Sequence, residues 1–163
     1  MKISFIGTGL MGFPMSKNLL KKSLDLKIFS RTIEKAKPLE EFGAKVVNSL
    51  SEAVIESDIV FTMLTDDDAV ENVLGNAQFL NNLKPSSTVI DMSSIKPKIA
   101  SKYGKLLKEK NINFLDAPVS GGTIGAEEGS LAIMVGGEQK VFDNVFDILK
   151  IMGNPTLVGP IGS

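Results

Sequence analysis

The sequence predicts a doubly wound α/β domain, with a mostly parallel sheet and helices on both faces. Three observations lead there. Short β-type apolar runs alternate with stretches of helical period along all 163 residues, the mark of strand–helix–strand repetition. Two of the runs, 58–64 (DIVFTML) and 88–92 (TVIDM), are nearly all apolar, as strands covered on both faces should be. The first run ends directly in glycine and opens a helix.

The elements follow in order. Ile3, Phe5 and Ile6 form a buried strand running into Gly7. Met11 to Lys22 reads as a helix, with Leu19 and Leu20 inward and a lysine-rich end that suits the helix dipole. Pro14 is tolerable because it lies in the first turn. Leu26, Ile28 and Phe29 form a second strand, and Thr32 to Phe42 is helical, closed by Gly43 and kinked or broken at Pro38. A short strand at Val46–Val47, a helix at 49–56, the covered strand 58–64 and a short helix at 69–74 come next. After strand 88–92, a helix begins at Pro97 with Ile99, Tyr103, Leu106 and Leu107 on one stripe. Strands at 112–116 and 131–135, a helix marked by Val141, Val145, Ile148, Leu149 and Met152, and a strand at 156–158 complete the chain. At roughly 150 residues per domain, residues 1–163 make one domain. The last segment, LVGPIGS, has no helix cap or charged tail and reads like a chain cut at a domain boundary.

Composition narrows the chemistry. The chain has 43% apolar and 23% charged residues, no Cys and no His. That excludes zinc fingers, iron–sulfur clusters, thiol redox chemistry and every His-based triad. A net charge of −1 gives no field for nucleic acid. No apolar run reaches the roughly 18 residues of a membrane span. The N-terminus runs straight into a strand without a signal peptide's apolar core. A cytoplasmic enzyme or binding module is the expectation.

Gly7-Thr8-Gly9-Leu10-Met11-Gly12 matches G-x-G-x-x-G in the required context, after a strand and opening a helix. The first glycine permits the tight turn, the second the approach of a pyrophosphate, and the third close helix–strand packing. The helix start offers unpaired N–H groups to an anion. A ligand-free glycine turn is the alternative. No Gly-Lys-Ser/Thr follows, so this is not a P-loop.

NAD-binding units usually end their second strand in an acid that binds the ribose 2′-hydroxyl. Here Ser30, Arg31 and Thr32 stand there, with Lys35 about one turn on, and Arg31 is the single arginine among 18 basic residues. A guanidinium grips phosphate in two places, so the cofactor reads as NADP. The alternative is Arg31 stacked on the adenine of NAD.

Ligands in this architecture lie beyond the carboxyl ends of the strands. Met63, Leu64 and Thr65 can cover the cofactor's adenosine or ribose. Asp66, Asp67 and Asp68 read as acids at a helix N-terminus rather than a metal site. Ser93 and Ser94 precede Pro97 and read first as a helix cap, with a role facing the nicotinamide as the alternative. Asp116-Ala117-Pro118-Val119-Ser120-Gly121-Gly122 is either a carboxylate cradle or a flexible turn. Glu127, Glu128 and Gly129 look like a turn tip.

Together FIGTGLMGFPMSKNLL, VIDMSSIKP and DAPVSGGTIGAEEGSLAIMVGG resemble the β-hydroxyacid dehydrogenase family over the whole chain. That family includes 3-hydroxyisobutyrate dehydrogenase, tartronate semialdehyde reductase and glyoxylate/succinic semialdehyde reductase types. The resemblance implies a Rossmann-type cofactor domain of an NADP-dependent oxidoreductase. Such an enzyme moves a hydride between nicotinamide and a short 3-hydroxy acid, semialdehyde or 2-oxo acid. The motif and strand end put cofactor contacts at Gly7, Thr8, Gly9, Leu10, Met11, Gly12, Ser30, Arg31 and Thr32, and the resemblance implies further ones at Met63, Leu64 and Ser94. It puts the substrate carboxylate at Ser120, Gly121 and Gly122. The family's proton donor is a lysine that follows a glycine-rich segment and begins an all-helical second domain. Gly159 and Gly162 match that segment, which sets the lysine beyond Ser163. No catalytic residue or metal ligand is therefore assigned, and the chain as given is expected to bind NADP weakly without turnover. The full-length enzyme is expected to be a homo-oligomer. Alternatives are an NAD-linked 3-hydroxyisobutyrate dehydrogenase, an imine reductase, and a stand-alone dinucleotide-binding module.

Overall fold

The computed structural model describes residues 1–163. Its strands are β1 (Lys2–Ile6), β2 (Asp25–Phe29), β3 (Lys45–Val46), β4 (Ile59–Thr62), β5 (Thr88–Asp91), β6 (Asn113–Asp116), β7 (Val119–Ser120), β8 (Leu131–Gly136) and β9 (Gly153–Gly159). Its helices are α1 (Gly12–Lys21), α2 (Ile33–Ala36), α3 (Leu50–Val54), α4 (Asp67–Leu74), α5 (Ala77–Asn82), α6 (Pro97–Glu109), α7 (Gly122–Glu128) and α8 (Gln139–Met152). The strands lie in the order β3-β2-β1-β4-β5-β6-β8-β7, with β9 beside β8. The first six are parallel. Their 3-2-1-4-5-6 order is that of a Rossmann-type fold, which reverses direction between β1 and β4.

Strand periodicity builds the two layers. Alternate residues of a strand face opposite sides of the sheet. Ile3, Phe5, Phe61, Ile90 and Leu115 pack on one side with Met15 and Leu19 of α1 and Val145 and Leu149 of α8. Ile6, Val60, Val89 and Phe114 pack on the other with Val54 of α3, Val70 and Leu74 of α4, and Tyr103 and Leu107 of α6. Both sides of these strands are thus dry, in keeping with their largely apolar sequence, with Ser4, Thr62 and Asp91 among the buried polar exceptions. Helix α6 is rotated from the expected stripe: Ala100, Tyr103, Gly104 and Leu107 are its buried residues, while Ile99 and Leu106 pack at the margin.

Several local expectations need correction. Pro38 does break the second helix, and a 3-10 helix runs over Lys37–Phe42 to Gly43 at φ 98°. Helix α5 was not expected from sequence; Asn76 caps it by accepting from Gln78 and Phe79 N–H, and buried Phe79 anchors it. The loop after β6 is not a free turn. Val119 and Ser120 pair antiparallel with Ile133 and Ala132, and Glu127 and Glu128 end α7 rather than form a turn tip. Strand β9 is longer than expected because six of its seven residues find a partner along β8, with an irregularity at Val158. No helix is long and apolar enough to cross a membrane.

Candidate functional site

The strand register gathers the candidate loops. Ile6 is paired with Phe29 and Thr62, Thr62 with Asp91, and Asp91 with Asp116. These strands end at or just beyond these residues, so the segments at 7–12, 30–32, 63–65, 92–94 and 117–122 begin at one carboxyl edge. That edge, at the point where strand order reverses, is where ligands of such sheets bind.

Each glycine of the turn has a distinct physical requirement. Gly7 sits at φ 102°, and a Cβ there would run into the Met63 carbonyl. A Cβ on Gly12 would run into the Gly7 carbonyl, which enforces the close contact of β1 and α1. At Gly9 a Cβ would meet nothing within 4 Å. The space over Gly9 is thus free of protein, as room for a pyrophosphate requires. Met11 caps α1 without a side-chain bond. The N–H groups of Leu10, Met11 and Gly12 have no acceptor in the protein. Thr8 is only 4% exposed, yet its Oγ1 has no partner. A buried hydroxyl normally finds one, so this turn holds polar capacity that suits a bound anion. The residues present fit a dinucleotide's phosphates.

Two clefts meet at this turn and share Thr8, Gly9 and Lys35. The smaller, of about 300 Å³, runs between Ser30, Arg31 and Thr32 on one side and Met63, Leu64 and Thr65 on the other. Its lining contains two cations, Arg31 and Lys35, and no carboxylate. Ser30 is buried, whereas Arg31 is exposed and takes part in no ion pair. The larger, of about 760 Å³, runs along α1 past Leu10, Lys17 and Lys21 to Thr123 and Glu127 of α7. In the sequence Lys21 reads only as a favourable helix end, and Lys17 carries no assigned role. Their i, i+4 spacing, which sets both on one helix face, was the available signal.

The remaining candidates lie outside these clefts. Ser94 is exposed in the loop after β5. Ser120, Gly121 and Gly122 are exposed where β7 becomes α7, with positive φ at both glycines; only their neighbour Thr123 lines the larger cleft. The serine pair does not cap α6, whose capping position is Lys96 without a side-chain bond. Ser93 instead accepts from Leu64 N–H at 2.8 Å. Asp66 caps α4 by accepting from Ala69 N–H.

Sequence reading missed Asp91. It is fully buried, and its Oδ1 accepts from Thr62 Oγ1 at 2.8 Å and from Ser93 N–H at 3.2 Å. Its Oδ2 is buried without a partner. Burial pushes the Asp91 carboxyl up to about 6, against hydrogen bonds from Ser93 and Thr62 and with added repulsion from Asp116. Burial also raises Asp116, against a hydrogen bond from Gly162 N–H at 3.0 Å. The folded Asp91 carboxyl takes up its proton near pH 6, the unfolded chain only near 3.8. Its contribution to stability therefore improves as pH falls through that window, and the buried charge costs about 3 kcal/mol at neutral pH. Asp91→Asn removes this cost. Its unfolding free energy should exceed the wild type's at about pH 8, with the excess shrinking toward about pH 4. An excess that does not change with pH in denaturant titrations would show an ordinary carboxyl.

Comparison with known proteins agrees with this geometry. The family described as the NAD binding domain of 6-phosphogluconate dehydrogenase matches residues 2–161. The 2-hydroxy-3-oxopropionate reductase of Escherichia coli is 42% identical over 99% of this chain, which spans 56% of that protein. The 2-(hydroxymethyl)glutarate dehydrogenase of Eubacterium barkeri is 39% identical over 93% of this chain and 51% of its own length. The chain thus spans about half the length of these curated relatives. The solved structure of Mycobacterium tuberculosis 3-hydroxyisobutyrate dehydrogenase with L-serine superposes with a TM-score of 0.94 at 33% identity, over 99% of this chain and 55% of that one. With the glycine turn, the strand order and these relatives in agreement, the chain belongs to the β-hydroxyacid dehydrogenase family, as an NAD-binding domain of the 6-phosphogluconate dehydrogenase type.

Proposed function

We propose that this domain binds NADP for an oxidoreductase that moves a hydride between nicotinamide and a short 3-hydroxy acid, semialdehyde or 2-oxo acid. The observation that carries the NADP preference is the smaller cleft, with Arg31 and Lys35 in its wall and no carboxylate. In this reading the free amides of the glycine turn and Thr8 Oγ1 hold the pyrophosphate, as helix starts do. Ser30, Arg31 and Thr32 hold the 2′-phosphate, with the guanidinium as a two-point donor. Met63 and Leu64 wall the cleft, and Ser94 meets the cofactor from the loop after β5. Ser120 and the exposed amides of Gly121 and Gly122 orient the substrate carboxylate. When bound, the nicotinamide supplies the hydride. In this reading the family resemblance puts the proton-donating lysine and the all-helical domain after residue 163, and residues 1–163 by themselves bind the cofactor without turnover.

Titration of the chain with NADPH and NADH tests the reading. A preference for NADPH of about tenfold or more, ~1.4 kcal/mol, is expected. Equal affinity, or a preference for NADH, would make Arg31 an adenine platform and the enzyme NAD-linked. Steady NADPH oxidation by the 163-residue chain with glyoxylate would overturn the assignment of the proton donor elsewhere.

A further inference from the structure

We propose that Asp91 is a positioning residue for the cofactor cleft: its carboxylate ties the loop after β5 to the loop after β4 and so sets the position of Leu64. This rests on the reading that the cleft lined by Leu64 holds the cofactor.

The connections run through a few atoms. Thr62 is the last residue of β4 and lies beside Asp91 in the register. Its Oγ1–H donates to Asp91 Oδ1 at 2.8 Å, and Ser93 N–H donates to the same oxygen. Ser93 Oγ in turn accepts from Leu64 N–H at 2.8 Å. Two residues beyond β4, the main chain is thereby held by a side chain from the neighbouring loop. Leu64 then lines the smaller cleft opposite Arg31. Thr62, Asp91 and Ser93 are all buried, so the tether works from behind the cleft wall and touches no ligand.

The site is also expensive. A buried carboxylate with an unpartnered oxygen, next to a second carboxylate on β6, is a poor choice for stability alone, since an apolar side chain of similar size would avoid the desolvation. The hydrogen bonds account for a polar acceptor here: Oδ1 accepts from the end of β4 and from the loop after β5 at once, which an apolar residue cannot do.

The test uses the whole chain, with amide exchange at Leu64 and NADPH affinity as readouts. Ser93→Ala removes the acceptor without disturbing the strand ends. It should abolish the protection of the Leu64 amide while Val60 and Val89 keep theirs. It should also weaken NADPH about tenfold, the scale of one lost buried hydrogen bond. Asp91→Ala should do the same if it folds, and Asp91→Asn, which keeps the accepting oxygen, should restore both readouts. Survival of Leu64 protection in Ser93→Ala would overturn the proposal. So would failure of Asp91→Asn to rescue, or unchanged NADPH affinity in both alanine variants. Failure of the wild type itself to bind NADPH would overturn the cofactor reading and this proposal together, whereas wild-type binding with indifferent variants would overturn the proposal alone.

Discussion

Gly9→Val should abolish binding of both NADPH and NADH and leave the fold intact. A Cβ at Gly9 meets no protein atom within 4 Å, and the residue is not among those with positive φ. A branched side chain therefore fits the folded chain. It occupies only the space over the turn, where backbone must approach a pyrophosphate. The expected loss exceeds about a thousandfold, ~4 kcal/mol, with an unchanged melting temperature. The other two glycines of the turn behave differently. Any side chain at Gly7 or Gly12 strikes backbone carbonyls, so those variants should lose stability as well as binding. Calorimetric titration beside thermal melts separates the cases. Retained nucleotide binding in Gly9→Val would put the cofactor elsewhere.

Arg31→Ala should weaken NADPH by about 1.5–3 kcal/mol, the range of a hydrogen bond to a charged group, and leave NADH nearly unchanged. Arg31 is exposed and forms no ion pair, so its removal should barely touch stability. Lys35 lines the same cleft and leaves some residual attraction for a phosphate. Arg31→Lys should fall between, because an ammonium keeps the charge and loses the two-point fork. Equal losses for NADPH and NADH would mean that the guanidinium stacks on adenine.

Much of this domain was legible because its signals are local. A Gly7 that must turn sharply, a Gly12 that must pack closely and a covered strand before them are consecutive in the chain. The position of Ser30-Arg31-Thr32 at the end of the second strand was readable for the same reason: it lies a short, regular distance after the turn. Helix α5 was missed because six residues carry too little periodicity to announce themselves, and only Asn76 marked the cap. Ser93 was read as a cap because a serine before a proline-led helix usually is one; its partner, the Leu64 amide, is remote in sequence.

Fold class and the position of the glycine turn were readable along the chain, since each depends on sequence neighbours. Which strand ends stand side by side came only with the packed sheet. That placement brought Thr62, Asp91 and Ser93 together, set Lys17 and Lys21 along the same cleft as Lys35, and turned the segment after β6 into a strand and helix against β8. Periodicity shows which face of an element is buried. It does not show which residue of another element meets that face, and hydrogen bonding and desolvation at the carboxyl edge depend on that meeting.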